Sequence, residues 1–205
     1  MQQNQSAPIF GTHSYKVTTK SDHRKPVFEN VLARNVEPSQ PNRAWASDVT
    51  YIWTSQGWLY LAVVLDLYSR KVVGWSLSTR LHAKLVYDAL LMAIWQRKPG
   101  AGLIFHSDRG SQYASRAVRK LIREHKIVGS MSRKGDCWDN AVVESFFGSL
   151  KSERLHWRRY LTRSAAYKDI IDYILMFYNP HRLHSYLGYQ SPDNFERKAQ
   201  WAMVA

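Results

Sequence analysis

The chain has 205 residues, of which 45% are hydrophobic, 13% aromatic and 22% charged. This composition is typical of a globular protein with a buried core and excludes a fibrous or intrinsically disordered chain. The 29 lysine and arginine residues outnumber the 16 aspartate and glutamate residues and leave a formal net charge of +13. Such an excess favours a polyanionic partner, nucleic acid first, with a merely solvated basic surface as the alternative.

Cysteine content and hydropathy exclude further classes of protein. Cys137 is the only cysteine, so neither an internal disulfide nor a cysteine-based zinc site can form. The first ten residues contain no apolar segment of the length a signal peptide needs, and nowhere do 18 apolar residues run together. We therefore expect a cytoplasmic protein without an export signal or a membrane-spanning helix.

Residues 1–43 are predicted to form a basic arm or linker, because four prolines interrupt any periodic pattern. Strand-like runs follow at residues 44–54, 57–67 and 71–77, separated by short turns. Three successive strands with such short connections indicate an antiparallel meander.

Helices and strands then alternate. Apolar residues at helical spacing predict a helix over residues 82–97, which Pro99-Gly100 ends. A short apolar strand at 103–105 leads into a basic helix whose inward positions are Val118, Leu121 and Ile122, and residues 127–131 read as a fifth strand. Further helices are predicted at 140–157 and 165–178. This order favours an α/β fold with a mixed five-stranded sheet flanked by helices.

Three acidic residues occupy positions where a carboxylate is unusual or exposed to ligands. Asp48 lies inside the first predicted strand, Asp108 follows the fourth, and Glu144 sits on a helix among apolar neighbours. Each has an ordinary structural explanation: a solvent-facing strand acid, a helix cap or turn, and a surface ion-pair partner, respectively. Together, however, two strand carboxylates and one helix carboxylate suit a pair of Mg²⁺ ions that would promote phosphoryl transfer.

Several segments resemble the catalytic domain of bacterial insertion-sequence transposases with a retroviral-integrase-like core. They are residues 47–51, 64–70, 106–113 and 139–147. Asp108 and Glu144 are separated by 35 residues, the spacing that names the Asp-Asp-Glu triad of that superfamily. Segments 178–185 and 187–192 resemble the tail of the insertion-sequence-three family.

This resemblance implies a ribonuclease-H-like fold and a DNA transposase that uses two Mg²⁺ or Mn²⁺ ions. Asp48, Asp108 and Glu144 occupy the three metal-ligand positions, with water as the nucleophile for cleavage and a 3′-hydroxyl for joining. The implied partners are double-stranded DNA, both transposon ends and target, and further copies of the chain in a nucleoid-associated bacterial assembly. Residues 44–160 would form the integrase catalytic core and 161–205 a C-terminal helical extension. Residues 1–43 would be the remnant of an N-terminal DNA-binding region, and end recognition could come from such a region or from a partner chain.

Other polar residues near these motifs are candidates for supporting roles. Lys151 follows Glu144 by two helical turns, which places it on nearly the same face about 10 Å along the helix. Asn140 and Arg158 fall on that stripe too, so all three are candidates for contact with DNA phosphate, and the resemblance supports Lys151; an exposed basic residue is the alternative. His106 could orient Asp108 or be a hydrogen-bonded core histidine. Asp66 is interpreted as a turn residue.

Two alternatives to a transposase stay open at this stage. One is a structure-selective nuclease of the same fold, and the other is a catalytically idle DNA-binding remnant. The intact acids argue against the remnant. A joining assay with a 3′-hydroxyl donor separates transposase from nuclease.

Overall fold

The computed structural model describes residues 25–33, 36–133 and 140–202. The strands within these ranges are β1 (Ala44–Thr54), β2 (Gly57–Asp66), β3 (Val72–Ser78), β4 (Ile104–Ser107) and β5 (Val128–Met131). The α-helices are α1 (Ala83–Arg97), α2 (Arg116–Glu124), α3 (Ala141–Glu153), α4 (Arg163–Tyr173) and α5 (Pro192–Ala202). None of the helices in these ranges combines the length and apolar character needed to cross a bilayer.

The five strands form one sheet in the order β3-β2-β1-β4-β5. β1 and β2 pair antiparallel, as do β2 and β3, whereas β4 pairs parallel with both β1 and β5. This arrangement confirms the mixed sheet predicted from the sequence, with three antiparallel strands followed by two parallel ones.

Alternate residues of β1 face two separate hydrophobic clusters, as the period of a strand requires. Trp45 and Val49 belong to a cluster with the inner faces of α1 and α2. Ala44 and Ala46 belong to a second cluster, which includes buried residues of α3 and α4. The sheet is therefore covered by helices on both faces, and α4, in the predicted C-terminal extension, supplies part of the core.

Local signals set the helix ends and the close packing of α1. The His82 imidazole accepts a hydrogen bond from the Leu85 N–H at the start of α1. At the other end Lys98 adopts a left-handed conformation with φ of 43°, directly before Pro99. A Cβ added at Gly74 would lie 2.3 Å from the carbonyl oxygen of Ala89. Glycine is thus required where α1 crosses β3.

Two predicted helices are shorter than the sequence pattern indicates. α3 ends at Glu153 because Arg154 leaves the helical region with φ of −130°, and a separate 3₁₀ turn follows at Leu155–Trp157. The helix predicted at 165–178 is α4 followed by a π-helical turn, Ile174–Tyr178. After this wider turn the Asn179 amide exchanges two hydrogen bonds of 3.0 Å with the backbone of Val72 in β3.

Part of the predicted N-terminal arm packs against the sheet. Leu32 is buried in the second cluster, and Phe28 packs against the first. The backbone N–H groups of Val31 and Leu32 donate to the Ser130 hydroxyl of β5. This segment therefore covers the edge strand, which protects its backbone from pairing with another chain. Residues 1–24 lie outside the described residues, and the predicted boundary at residue 43 stays a prediction.

Candidate active site

Asp48 and Asp108 lie next to the end of the parallel pairing between β1 and β4. The last pair of this ladder is Ser47 with Ser107, and Asp48, within β1, and Asp108, directly after β4, are the next residues. Parallel strands lie about 4.8 Å apart. Asp48 shares its strand face with Ala46, on the side of the sheet that α3 covers.

Glu144 is brought to this face by α3. Val143, Phe147 and Leu150 are buried and fix the helix on the second hydrophobic cluster. Glu144 lies at an exposed position beside this apolar stripe. Because of this packing, the third predicted acid lies on the side of the sheet where Asp48 emerges. Asp139, the first residue of the predicted motif, lies outside the described residues.

The electrostatics of Asp48 link the three acids. Burial raises the pKa of Asp48 to about 7, and the charges of Asp108 and Glu144 contribute in the same direction. The Val49 N–H, which donates to Asp48 Oδ1 at 2.7 Å, and the charge of Lys151 oppose this rise. A carboxyl group near other carboxylates and partly shielded from water is a feature typical of catalytic sites.

The donor chemistry of the acids fits a hard divalent cation, although their arrangement is not a closed metal cage. Within the described ranges, no group of three or more His, Cys, Asp or Glu side chains lies close enough to hold a metal ion. The second oxygen of Asp48 has no hydrogen-bond donor among the described residues. An all-oxygen set of carboxylates is the set that Mg²⁺ and Mn²⁺ prefer.

A tight turn sets the orientation of the Asp108 carboxylate. Asp108 Oδ1 accepts a 2.8 Å hydrogen bond from the Gly110 N–H. A Cβ at Gly110 would lie 2.8 Å from this oxygen and 3.1 Å from Gln112 Oε1. Gly110 thus allows the carboxylate to fold back over the turn. The role of Gly110 was not predicted from the sequence, although the residue lies in the recognised segment 106–113.

Tyr113 connects the loop after β4 to β1. The Tyr113 hydroxyl and Ser47 Oγ are 2.9 Å apart, and Ser47 Oγ donates to the Val63 carbonyl at 2.7 Å. Since the serine has one proton, Tyr113 is the donor to Ser47. Burial, then the charges of Asp48 and Asp108, raise the pKa of Tyr113 well above its usual value, which keeps the donor protonated. Sequence analysis did not single out Tyr113.

Lys151 lies where the helical spacing placed it. It is partly exposed on α3, and its Nζ is 5.8 Å from the ring centroid of Tyr51 in β1. Its charge also lowers the pKa of Asp48. The cation therefore lies beside the acids, where it can meet a phosphate group, and its contact with DNA stays a prediction.

Of the other two predicted DNA contacts, Asn140 directly precedes α3, whereas Arg158 lies off the helix that carries Lys151. Asn140 is the residue before α3 and is buried, and its Oδ1 has no hydrogen-bond partner among the described residues. Arg158 lies beyond the end of α3, and its Nη1 is paired with Asp169 Oδ1 at 2.9 Å. The prediction that one continuous helix carries Arg158 onto the stripe is wrong, because α3 ends at Glu153. Their roles in DNA binding stay untested.

Of the two roles considered for His106, the hydrogen bonds described here favour that of a hydrogen-bonded core histidine. The side chain is fully buried, with Nδ1 2.9 Å from Ser130 Oγ and Nε2 3.0 Å from Ser132 Oγ. Both ring nitrogens are thereby held between β4 and the end of β5. An influence of His106 on Asp108 stays a prediction.

Asp66 caps the turn after β2, as predicted. It accepts hydrogen bonds from the N–H groups of Asn42 at 2.8 Å and Tyr68 at 3.0 Å. Arg97 Nη2 lies 3.4 Å from Asp66 Oδ2.

Solved structures share this architecture. A chain of the simian T-cell lymphotropic virus intasome in complex with PP2A regulatory subunit B56 gamma matches with a TM-score of 0.66 and 17% identity, covering 87% of this chain and 61% of that chain. The HTLV-2 integrase catalytic core domain in complex with magnesium, in its trimeric form, matches with a TM-score of 0.60 and 18% identity, covering 78% and 99%. The fold is therefore that of the ribonuclease-H-like integrase cores.

Sequence comparison defines the family. Residues 38–137 and residues 144–199 each match a family described as "Integrase core domain". Transposase InsF for insertion sequence IS3A of Escherichia coli (strain K12) is 49% identical over 176 residues, which cover 86% of this chain and 61% of that protein. The insertion element IS600 uncharacterized 31 kDa protein of Shigella sonnei is 44% identical over 184 residues, which cover 90% of this chain and 68% of that protein.

The chain belongs to the insertion-sequence-three family of transposases with an integrase-like core. It spans about three fifths of the length of the Escherichia coli relatives.

Proposed function

We propose that this chain is the catalytic domain of a DNA transposase, which cleaves at transposon ends and transfers the 3′-hydroxyl strand into target DNA. One observation carries the proposal. Asp48 and Asp108 directly follow the last pair of the parallel β1–β4 ladder, and the pKa of Asp48 is raised to about 7 by burial and by the charges of Asp108 and Glu144. Three acids that interact in this way on an integrase-like sheet support phosphoryl-transfer chemistry.

Asp48, Asp108 and Glu144 are the residues that would hold two Mg²⁺ or Mn²⁺ ions. When bound, such a pair stabilises the attacking and leaving oxygens of an in-line phosphoryl displacement. The carboxylate donor set supports this assignment, and the HTLV-2 core with the same fold was solved in complex with magnesium.

The residues around the acids would position them and the substrate. Gly110 holds the Asp108 carboxylate in its turn, and the bond between Tyr113 and Ser47 ties that turn to β1. Lys151 would hold a DNA phosphate next to Asp48. Asp48 acts as a ligand only when ionised, so a pKa near 7 places its proton release in the neutral range.

The partners follow from this activity. The substrate would be double-stranded DNA, as transposon ends and as target, consistent with the net charge of +13. Several copies would act together, since the structural neighbours include a chain of an intasome and a trimeric form of an integrase core. An N-terminal region or a partner chain would recognise the ends, and the assembly would be nucleoid-associated in the bacterial cytoplasm.

A joining assay tests the function directly. The chain is incubated in Mg²⁺ with a labelled duplex that carries transposon-end sequence and a recessed 3′-hydroxyl, together with supercoiled target DNA. A transposase produces covalently joined label. A nuclease of the same fold cuts either DNA but leaves no joined product, and an idle DNA-binding remnant does neither. Cleavage without joining, or binding alone, would contradict the proposal.

A further inference from the structure

A cavity of about 530 Å³ lies beside α3, on a different side of the helix from Glu144. Three parts of the chain line it: the turn between β2 and β3, the helix α3, and the segment after α4. The lining residues that matter for its chemistry are Arg70, Ser145, Ser149, Arg182, His184 and Tyr186. Arg182 and His184 belong to the C-terminal segment 178–185, which the proposed active site leaves without a role, and Tyr186 directly follows that segment.

Arg70 is an arginine held in an unfavourable position. Its backbone is left-handed with φ of 60°, a conformation that glycine or asparagine adopts more easily. Only 7% of the residue is exposed, and Nη1 has no hydrogen-bond partner among the described residues. The Tyr178 hydroxyl fixes this turn by donating to the Arg70 carbonyl at 3.2 Å. Backbone strain combined with a buried, incompletely bonded guanidinium indicates that the side chain has a function.

His184 presents a second buried donor to the same cavity. Its Nδ1 lies 3.5 Å from Nη1 of Arg182, and a guanidinium can only donate, so Nδ1 is the acceptor. The ring proton is therefore on Nε2, which is buried without a partner among the described residues. Burial, then the charges of Arg182 and Arg70, lower the pKa of His184 to about 4, which keeps the ring neutral.

The cavity is short of acceptors. Arg182 is matched by Glu153, with which it forms a 2.7 Å ion pair. Glu37 influences Arg70 only at a distance, and no carboxylate of the described residues forms an ion pair with Arg70. Arg70 thus contributes a buried charge whose interactions are with Tyr186 and, at a distance, Tyr178 and Glu37, without a carboxylate ion pair among the described residues. Ser145 and Ser149 add hydroxyl groups. A group with several acceptor oxygens and a negative charge would satisfy this set.

We propose that this cavity binds a backbone phosphate of the DNA, with Arg70 and the Nε2–H of His184 as its donors. The proposal rests on the proposed function, because it takes DNA as the ligand. Ser145 directly follows Glu144, and an α-helix with its side chains is about 10–12 Å across. A strand whose scissile phosphate lies at the acids can therefore place a neighbouring phosphate in this cavity.

Tyr186 controls access to the site. Its ring lies over the Arg70 guanidinium, 3.9 Å from the ring centroid to Cζ, and the residue is 47% exposed. The unpartnered atoms of Arg70 and His184 are closed to solvent in this structure. A phosphate reaches them when the tyrosine ring swings towards solvent.

The test uses Arg70→Gln and His184→Phe, with Arg80→Gln as a control that removes an exposed arginine elsewhere. His184→Phe keeps the ring that packs edge-on to Tyr178 and removes only the donor. All measurements are made in chelator, so that catalysis does not contribute. The first is the shift in melting temperature caused by inorganic phosphate relative to chloride of equal ionic strength. The second is the Kd of duplex DNA as a function of salt concentration.

We expect Arg70→Gln to weaken duplex binding about tenfold or more and to lower the slope of log K against log salt by about one. His184→Phe should weaken binding without changing the slope, and Arg80→Gln should match wild type. A melting shift by inorganic phosphate that both site variants lose would support the donor set. Loss of that shift with unchanged DNA affinity would show a site for free phosphate and would overturn the assignment to DNA.

Unchanged DNA binding by both site variants would overturn the inference. This failure is distinguishable from failure of the proposed function. If the wild-type chain joins DNA while both site variants bind DNA normally, the phosphate site in the cavity is refuted and the proposed function is not. A wild-type chain that cannot join DNA while Arg70→Gln loses DNA affinity refutes the strand-transfer activity and leaves the phosphate site in place.

Discussion

The Tyr113 hydroxyl lies 2.9 Å from Oγ of Ser47, which joins the loop that carries Asp108 to the strand that carries Asp48. Ser47 in turn donates to the Val63 carbonyl of β2 at 2.7 Å. The two aspartates are thus held together by a buried chain of hydrogen bonds that spans three neighbouring segments.

Tyr113→Phe is expected to lower the free energy of unfolding by about 1 kcal/mol, the net value of one buried hydrogen bond. Since the ring keeps its packing, the fold should persist. The joining rate should fall several-fold, with little change in DNA affinity, because the bond positions the acids and does not contact the substrate. Chemical denaturation and single-turnover joining measure the two effects. Tyr167→Phe, at an exposed position of α4, is the control, and an equal joining rate in both variants would rule out the positioning role.

Gly110→Ala should displace the Asp108 carboxylate, because the new methyl group would lie 2.8 Å from Asp108 Oδ1. We expect the joining rate to fall at least about tenfold, since displacement of reacting groups by about 1 Å can cost far more. The melting temperature should change little. Gly100→Ala is the matched control, because a Cβ there meets nothing within 4 Å. Equal activity of the two alanine variants would show that the turn does not set the carboxylate.

The raised pKa of Asp48 predicts a specific dependence of stability on pH. Between the ordinary value of 3.8 and about 7, the folded protein keeps a proton that the unfolded chain has released. The free energy of unfolding contributed by Asp48 therefore falls as pH rises through this window. In chelator at pH 8, Asp48→Asn should be more stable than wild type by up to about 4 kcal/mol, and the gain should vanish near pH 4.

Denaturant unfolding at several pH values measures this gain. Asp88→Asn, which changes an exposed acid paired with Lys84, is the control and should show no such increase with pH. A stabilisation that grows as pH falls would contradict the assigned direction of the Asp48 shift.

Lys151→Ala should weaken binding to duplex DNA and reduce the salt slope by about one, since one phosphate contact is removed. Fluorescence anisotropy at several salt concentrations provides both quantities. Lys84→Ala removes an exposed lysine of α1 and should behave as wild type. Identical salt slopes for the two variants would show that Lys151 is an ordinary surface lysine. Arg158→Ala in the same series tests the predicted contact between Arg158 and DNA phosphate, which the ion pair of Arg158 with Asp169 makes less favourable.

The sequence predicted the elements whose hydrophobic residues recur at a regular strand or helix spacing. The long β-branched and aromatic strands β1 and β2 and the apolar period of α1 were recognised nearly to the residue. The end of α3 was missed because Leu155 and Trp157 continue an acceptable helical pattern, while the backbone turns at Arg154. The stripe that included Arg158 failed for this reason. Local pattern does not reveal where tertiary packing ends a helix.

The sequence identified the acids of the candidate site but not the residues that position them. The spacing of Asp108 and Glu144 and the adjacent motifs identified the three carboxylates. The bond between Tyr113 and Ser47 joins residues 66 positions apart, so it depends on the pairing of β1 with β4. The cavity at Arg70 likewise requires contact between the turn after β2 and the segment after α4. Such long-range contacts are set by sheet order, which the sequence pattern does not specify.

The most direct measurement compares joining by wild type with that by Asp48→Asn, Asp108→Asn and Glu144→Gln in Mg²⁺, at equal DNA occupancy. Each change removes a ligand charge and conserves shape, so each variant should keep its fold and bind DNA nearly as wild type. We expect each to reduce joining by about 10³-fold or more, and any double variant to be little worse than a single one, because the three acids act as a unit. Wild-type turnover by any one variant would contradict the assignment of that residue, and with it the three-acid active site.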